Sequence, residues 1–302
     1  MGLISLSSVV RPTSRYQFYM SKILKFLESL AKFDNSIEFQ MLEIGAHPYE
    51  GSKEPFHEII NFFPNSKISA FELDKDECEK LNQNSPKGIN FFPFALGKKK
   101  EKKKIYITNH PMCTSLYEPD EKLMKLYNNL EFAYLKKIEE IETVNLDLFI
   151  KEQKIKFIDF IKIDIQGAEL DVFQGGLSCL KNVLAIITEV EFIQLYKNQP
   201  LFGDVSSFLR KNNINFHKFL SLQGRTLKPT VLNNDPNFST QHMWSDAMYL
   251  RNIETISDLD NHQMLKLSIY SYIYGSPDLT YQCLKKYDEK NNTKLVNLIK
   301  DL

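Results

Sequence analysis

Apolar side chains recur at helical spacing between residues 15 and 33, at Phe18, Ile23, Leu24, Phe26, Leu27 and Leu30, and predict a leading helix. Beyond it, short apolar runs alternate with amphipathic segments. Strands are predicted at MLEIGA (41–46), KISAFEL (67–73), INFFPFAL (89–96), FIDFIKIDI (157–165) and VLAIITEVEF (183–192). Helices are predicted at KEPFHEIINFF (53–63), which stops at Pro64, and at DKDECEKLNQN (74–84), with Asp74 as the N-cap. Two more helices follow at LDVFQGG (170–176) and DVSSFLRKNN (204–213). The run FIDFIKIDI is apolar on both faces, as a central parallel strand requires. Strand and helix alternating at this spacing imply crossover units, hence a doubly wound, mainly parallel sheet with helices on both faces. The last two strands, INFHKFLSL (214–222) and DAMYLRN (246–252), have no helix between them, which predicts an antiparallel edge strand. The organisation expected is an N-terminal helical segment (1–36), an α/β domain (37–252) and a C-terminal helical extension (253–302), the last with helical patterns at 264–274 and 295–302.

Composition narrows the class. The chain has 302 residues, 43% of them hydrophobic and 25% charged, enough for a sizeable core. Its 38 basic and 38 acidic residues cancel, so no global field favours nucleic acid. Cys78, Cys113, Cys179 and Cys283 are far apart and form no CxxC pair, which points to reduced thiols in a cytoplasmic protein. There is no run of about 18 apolar residues for a membrane span, and the N-terminus lacks a signal-peptide pattern. The run KKKEKKK (98–104) follows Gly97 and reads as a solvated turn.

Three strings carry candidate chemistry. In LEIGAHPYEG (42–51), Gly45 stands where the first strand ends, and a missing side chain there lets a ligand approach the backbone. Glu43 beside it could orient such a ligand. Glu72, ending the second strand, is placed to accept hydrogen bonds from ribose hydroxyls. In FIKIDIQGAEL (160–170), Lys162, Asp164, Gln166 and Glu169 interrupt a buried-strand context, and buried polar groups are costly unless paired. That concentration of polar residues at the end of a central strand marks a functional site.

The string KIDIQGAELDVFQGG (162–176) resembles the signature of FkbM-type methyltransferases. LEIGA, SAFELD, FPFALG (92–97), CTSLYEP (113–119), VNLDLFI (144–150) and TEVEF (188–192) resemble further family segments in the same order, covering roughly residues 38–252. Two departures stand out: His47-Pro48 after Gly-Ala, and Gln166 where glutamate is commoner. The resemblance implies a Rossmann-like fold and S-adenosylmethionine as cofactor. It further implies O-methylation of a hydroxyl on a small molecule or glycan, with no nucleic-acid partner. Cofactor contacts are then expected from Glu43, Gly45, Ala46, Glu72, Leu73, Ala95, Ser115 and Asp164. A hydroxyl acceptor needs a base within hydrogen-bond reach. Asp164 is the first candidate, and His242 in QHMWSDA (241–247) the second. Glu189, Glu191 and Tyr196 are candidates for the acceptor side. The carboxylates at 164, 189 and 191 are also what a hard cation would require, although no metal is expected. The C-terminal helices are the candidate surface for a homodimer. Two rival readings are a nicotinamide-dependent oxidoreductase, which should carry the GxGxxG absent here, and a non-catalytic nucleoside-binding module.

Overall fold

The structure is a computed structural model and describes residues 14–45, 54–235 and 237–299, with side chains from residue 17. Ala46, His47, Pro48 and the N-terminal run lie outside the described residues. In chain order the elements are α1 (Ser14–Phe33), β1 (Gln40–Ile44), α2 (Ile59–Phe62), β2 (Lys67–Phe71), α3 (Lys75–Asn84), β3 (Ile89–Phe92), β4 (Ala95–Gly97), β5 (Glu101–Thr108), α4 (Glu121–Met124) and β6 (Leu135–Asn145). They continue with α5 (Leu146–Glu152), β7 (Phe160–Ile163), α6 (Glu169–Gln174), β8 (Ala185–Glu191), α7 (Phe202–Lys211), β9 (Ile214–Phe219), β10 (Trp244–Arg251), α8 (Asn261–Ile273) and α9 (Pro277–Asn291).

Seven strands form the main sheet in the order β3-β2-β1-β7-β8-β10-β9. The first five are parallel, and β10 runs against both β8 and the outermost strand β9. The expected doubly wound, mainly parallel sheet with its antiparallel edge is therefore the observed one. Strand order reverses between β1 and β7, which is where ligands bind in sheets of this kind. Asp74 caps α3 as expected, accepting from the Glu77 amide at 2.9 Å.

The period-2 alternation of the strands sorts their side chains onto two faces. Leu42, Ile44, Ile161, Ile163, Ile186 and Val190 meet Leu146, Phe149, Val172, Phe173, Val205 and Leu209 of α5, α6 and α7. Met41, Phe160, Ile187 and Met248 meet Ile23, Phe26, Leu27 and Leu30 of α1 together with α8 and α9. The leading helix thus buries the stripe its periodicity predicts, apart from Phe18 (63% exposed) and Leu24 (36%), which stay outside. Helix α8 is buried over the whole stretch Met264–Ile273 by its own chain and offers little surface for a second copy.

Two expectations are revised. The run INFFPFAL is not one strand. It breaks at Pro93, which has no amide to donate, and Ala95–Gly97 joins a second, three-stranded sheet in the order β4-β6-β5. The lysine run is a turn only over its first three residues. Lys102, Lys103 and Lys104 lie in β5, where Lys102 faces Glu142 and Lys104 faces Glu140 across the ladder to β6. Opposite charges on paired positions stabilise such a ribbon. Lys103 turns the other way, to Asp171 of α6 at 2.8 Å.

A buried ionic knot ties α8 to the sheet. Asp159, just before β7, is 2% exposed, and its carboxylate accepts from the Gln40 amide (3.1 Å), Lys266 Nζ (2.8 Å) and the Tyr270 hydroxyl. Its backbone carbonyl also accepts from Leu184 at 2.9 Å. Burial raises the pKa of this carboxyl, against the opposing pull of Lys266 and Tyr270. Removing one partner of a buried pair leaves an uncompensated charge. Lys266→Met should therefore lower stability by about 3–5 kcal/mol in urea denaturation, and the pair Asp159→Asn/Lys266→Met should recover most of the loss. A cost under about 1 kcal/mol for the single variant would show that the knot contributes no more than a surface pair.

Candidate functional site

The site begins with a close passage of backbone. Gly45, immediately after β1, has φ +82°, and the Asp164 amide after β7 donates to the Ile44 carbonyl at 3.0 Å. A Cβ built on Gly45 would stand 1.9 Å from the Asp164 carbonyl oxygen. Only glycine supplies both that conformation and that clearance. The two strand ends are drawn together, and Asp164 is brought to the mouth of β1.

A cavity of about 480 Å³ opens there, above the carboxyl ends of the parallel strands. Gly45, Glu72, Leu73, Ala95, Ser115 and Asp164 all line it. Six of the expected cofactor residues, scattered from 45 to 164 in sequence, thereby converge. Its apolar wall combines Phe71 and Phe94 with Leu96, Ile105, Ile107 and Ile141 of the small sheet. Its charged groups are all acidic among the described residues: Glu72, Asp74, Glu139, Glu140 and Asp164. Glu72 also accepts from the Asp74 amide at 3.0 Å, which fixes its carboxylate at the end of β2.

Behind Asp164 lies a polar network. Gln166 Nε2 donates to Asp164 Oδ1 (2.8 Å) and to Glu189 Oε2 (2.6 Å). The single Tyr196 hydroxyl proton is shared between the Cys113 carbonyl (2.8 Å) and, more weakly, Gln166 Oε1 (3.2 Å). Ser115 Oγ donates to the Gln166 carbonyl at 2.7 Å. Glu169 opens α6 and braces the loop before it, its Oε1 accepting from the amides of Ile165 (2.8 Å) and Gly167 (3.3 Å). Burial, only partly offset by those amides and reinforced by the Asp164 charge, pushes Glu169 up to about 7. Burial and the charges of Asp164, Glu191 and Asp246 hold Glu189 well above the usual carboxylate range. Glu191 is raised by burial together with Glu169 and Asp164. Lys162 is buried too, but Asp246 at 3.3 Å and further acids outweigh burial and keep it cationic. Burial thus favours the protonated form of Glu169, Glu189 and Glu191 beyond that of ordinary carboxylates.

Other expected residues are placed differently. Glu43 does not line the cavity. The strand alternation turns it, with Met41, to the α1 and α8 face, where its carboxylate meets His57 Nε2 at 2.8 Å. His242 is exposed and off the cavity lining. The chain turns inward only at Met243 and Trp244, where pairing with Glu191 begins. Glu189, Glu191 and Tyr196 are buried and do not line the cavity; Glu189 and Tyr196 reach it only through Gln166. No three His, Cys, Asp or Glu side chains converge as metal ligands among the described residues. Sequence reasoning missed the part of the wall that β5 and β6 supply. In LKKIEEIETVN, apolar residues recur at 135, 138, 141 and 144, a spacing of three that imitates a helix. The alternating Ile105 and Ile107 of IYIT were the signal for a strand.

Comparison with known proteins sets this geometry in context. A stretch of 59 residues is 41% identical to the 2-O-methyltransferase NoeI of Sinorhizobium fredii, covering 20% of this chain and 24% of that protein. The match thus spans about a quarter of that relative's length. PKMT2 from Rickettsia typhi, solved in complex with AdoHcy, aligns over 99% of this chain and 73% of that one at 10% identity and a TM-score of 0.35. The Methyltransferase FkbM domain matches residues 43–216. That span exceeds half of the sequence and includes Gly45, Glu72, Ala95, Ser115 and Asp164, and the chain belongs to the FkbM methyltransferase family.

Proposed function

We propose that this methyltransferase uses S-adenosylmethionine to methylate a hydroxyl of a small-molecule or glycan acceptor, with Asp164 as the base. The observation that carries the reading is the meeting of Gly45, Glu72, Ala95, Ser115 and Asp164 on one cavity at the point where the strand order reverses. Gly45 leaves backbone open to a ligand. Glu72 is the acceptor for ribose hydroxyls, and Leu73, Phe94, Ala95 and Leu96 offer the apolar surface a purine needs. An all-acidic set of charged groups suits a cationic donor. S-adenosylmethionine, when bound, supplies a methyl group already activated for displacement. The chain's own work is then alignment and removal of one proton. Asp164 lines the cavity and takes that proton from the acceptor. The short stretch shared with a 2-O-methyltransferase supports oxygen as the acceptor atom. In this reading residues 37–252 carry the chemistry, and the segments before and after them cover one face of its sheet.

Calorimetry should detect S-adenosylmethionine and S-adenosylhomocysteine binding and no NAD binding; binding of NAD alone would reject the cofactor. Asp164→Asn should keep S-adenosylhomocysteine affinity within about threefold while methyl transfer drops on the order of 10²–10⁴-fold. Gly45→Ala must push the Asp164 carbonyl aside, and we expect at least about a tenfold loss of S-adenosylhomocysteine affinity together with a lower thermal midpoint. Unchanged affinity would place the ligand elsewhere.

The raised acids also set a pH dependence. Glu169 and Glu54 are each pushed up to about 7, chiefly by burial, so the folded chain holds protons that the unfolded chain releases near 4.5. Their contribution to stability is present below that lower value and is lost as pH rises towards 7. The thermal midpoint should therefore fall between about pH 5 and pH 7.5, and fall less in Glu169→Gln. A flat profile would mean that both acids ionise without penalty.

A further inference from the structure

The loop from β7 to α6 holds one neutral amide among acids. Gln166 is 6% exposed and has φ +59°, a conformation uncommon for a residue with a side chain. Such a backbone persists where its surroundings over-determine it. Both protons of the amide nitrogen are used, one on Asp164 and one on Glu189 of β8, while its oxygen takes the Tyr196 hydroxyl. The main-chain carbonyl is pinned by Ser115. Gly167 follows with φ +98°, and a Cβ there would meet Gln199 at 2.9 Å. The loop therefore has little freedom to rotate Asp164 away from the position the amide gives it. A glutamate at 166, the commoner residue in the family, could donate only one of these bonds, and only when protonated. Ionised, it would add a third carboxylate beside Asp164 and Glu189, with Glu169 of α6 and Glu191 of β8 close behind.

We propose that Gln166 is a positioning residue for methyl transfer: its amide fixes Asp164 in the orientation from which it removes the acceptor's proton, and ties it to buried Glu189. This rests on the reading of Asp164 as base. As the acceptor's O–H bond gives its proton to Asp164, the oxygen–methyl bond forms and the sulfur–methyl bond breaks, its electron pair remaining on sulfur. Gln166 exchanges no proton. With Oδ1 held by the amide, Oδ2 is the oxygen that acts. The ionisable groups facing the amide are Asp164 on its own loop, Glu189 of β8, Tyr196 beyond β8 and Glu169 of α6. Lys162 and Asp246 lie beneath Glu189 and form a pair of their own.

The test is a carboxyl-carbon NMR titration of the full chain labelled in aspartate, with Asp164→Asn assigning the signal. Removing a donor to the ionised form raises a carboxyl's titration midpoint. In Gln166→Ala the Asp164 midpoint should move up by about one pH unit, and in Gln166→Glu by more. Gln166→Asn, a shorter amide that keeps the polarity, should fall between wild type and alanine. With any neutral glycoside or phenol that the wild type methylates, Gln166→Glu should lose rate about tenfold or more near pH 8 and regain it towards pH 6, at an unchanged KM for S-adenosylmethionine. An Asp164 midpoint identical in wild type and Gln166→Ala overturns the proposal, as does a Gln166→Glu rate profile parallel to wild type. Failure of S-adenosylhomocysteine to bind the wild type would instead strike the cofactor reading, while the titration of the unliganded chain still decides the role of Gln166.

Discussion

The site depends on one steric constraint, the passage of the chain at Gly45 against the Asp164 carbonyl. Two parallel neighbours, β1 and β7, must end close enough for a hydrogen bond between Asp164 and Ile44, and nothing larger than hydrogen fits between them. Everything else at the cavity follows from where those two ends lie. Glu72 reaches it because β2 is the next strand outward, and Glu189 stands behind it because β8 is the next strand on the other side.

Charge is arranged in two tiers. Acids at the cavity edge, such as Glu72 and Asp74, are solvated and stay available to a ligand. Acids one layer in, Glu189, Glu191 and Glu169, are buried and carry raised pKa values. Their mutual repulsion would be costly in a low dielectric if all were ionised. Gln166 stands at the boundary between the tiers and, as a neutral amide, donates to one acid of each.

Much of this was legible in the sequence. The alternation of strands and helices gave the sheet, and polar residues intruding into FIKIDIQGAEL marked the site, because buried polarity is rarely left without a purpose. Gly45, Glu72 and Asp164 could be found because each sits at the end of an apolar run. The residues that lie off the cavity do so for physical reasons. Glu43 was assigned by closeness in sequence to Gly45, but a strand sends neighbouring side chains to opposite faces. The cavity's second wall was hidden because β6 is largely exposed and its apolar residues recur every three positions. His242 was read from its place before the last strand, and the two buried residues after it take the inward positions instead.

Helix α8 has consequences for how the molecule is made. Its residues Met264–Ile273 are enclosed on all sides, sharing a core with α1 and the underside of β1, β7 and β10. During synthesis, the catalytic strands emerge well before the element that covers them. Helix α1 is made first and can cover part of the sheet's apolar face, but the part under α8 lacks its cover until residues 261–273 have been made. Met41, Phe160, Ile187 and Met248 of the sheet therefore gain their last cover from the part of the chain that is made after every strand.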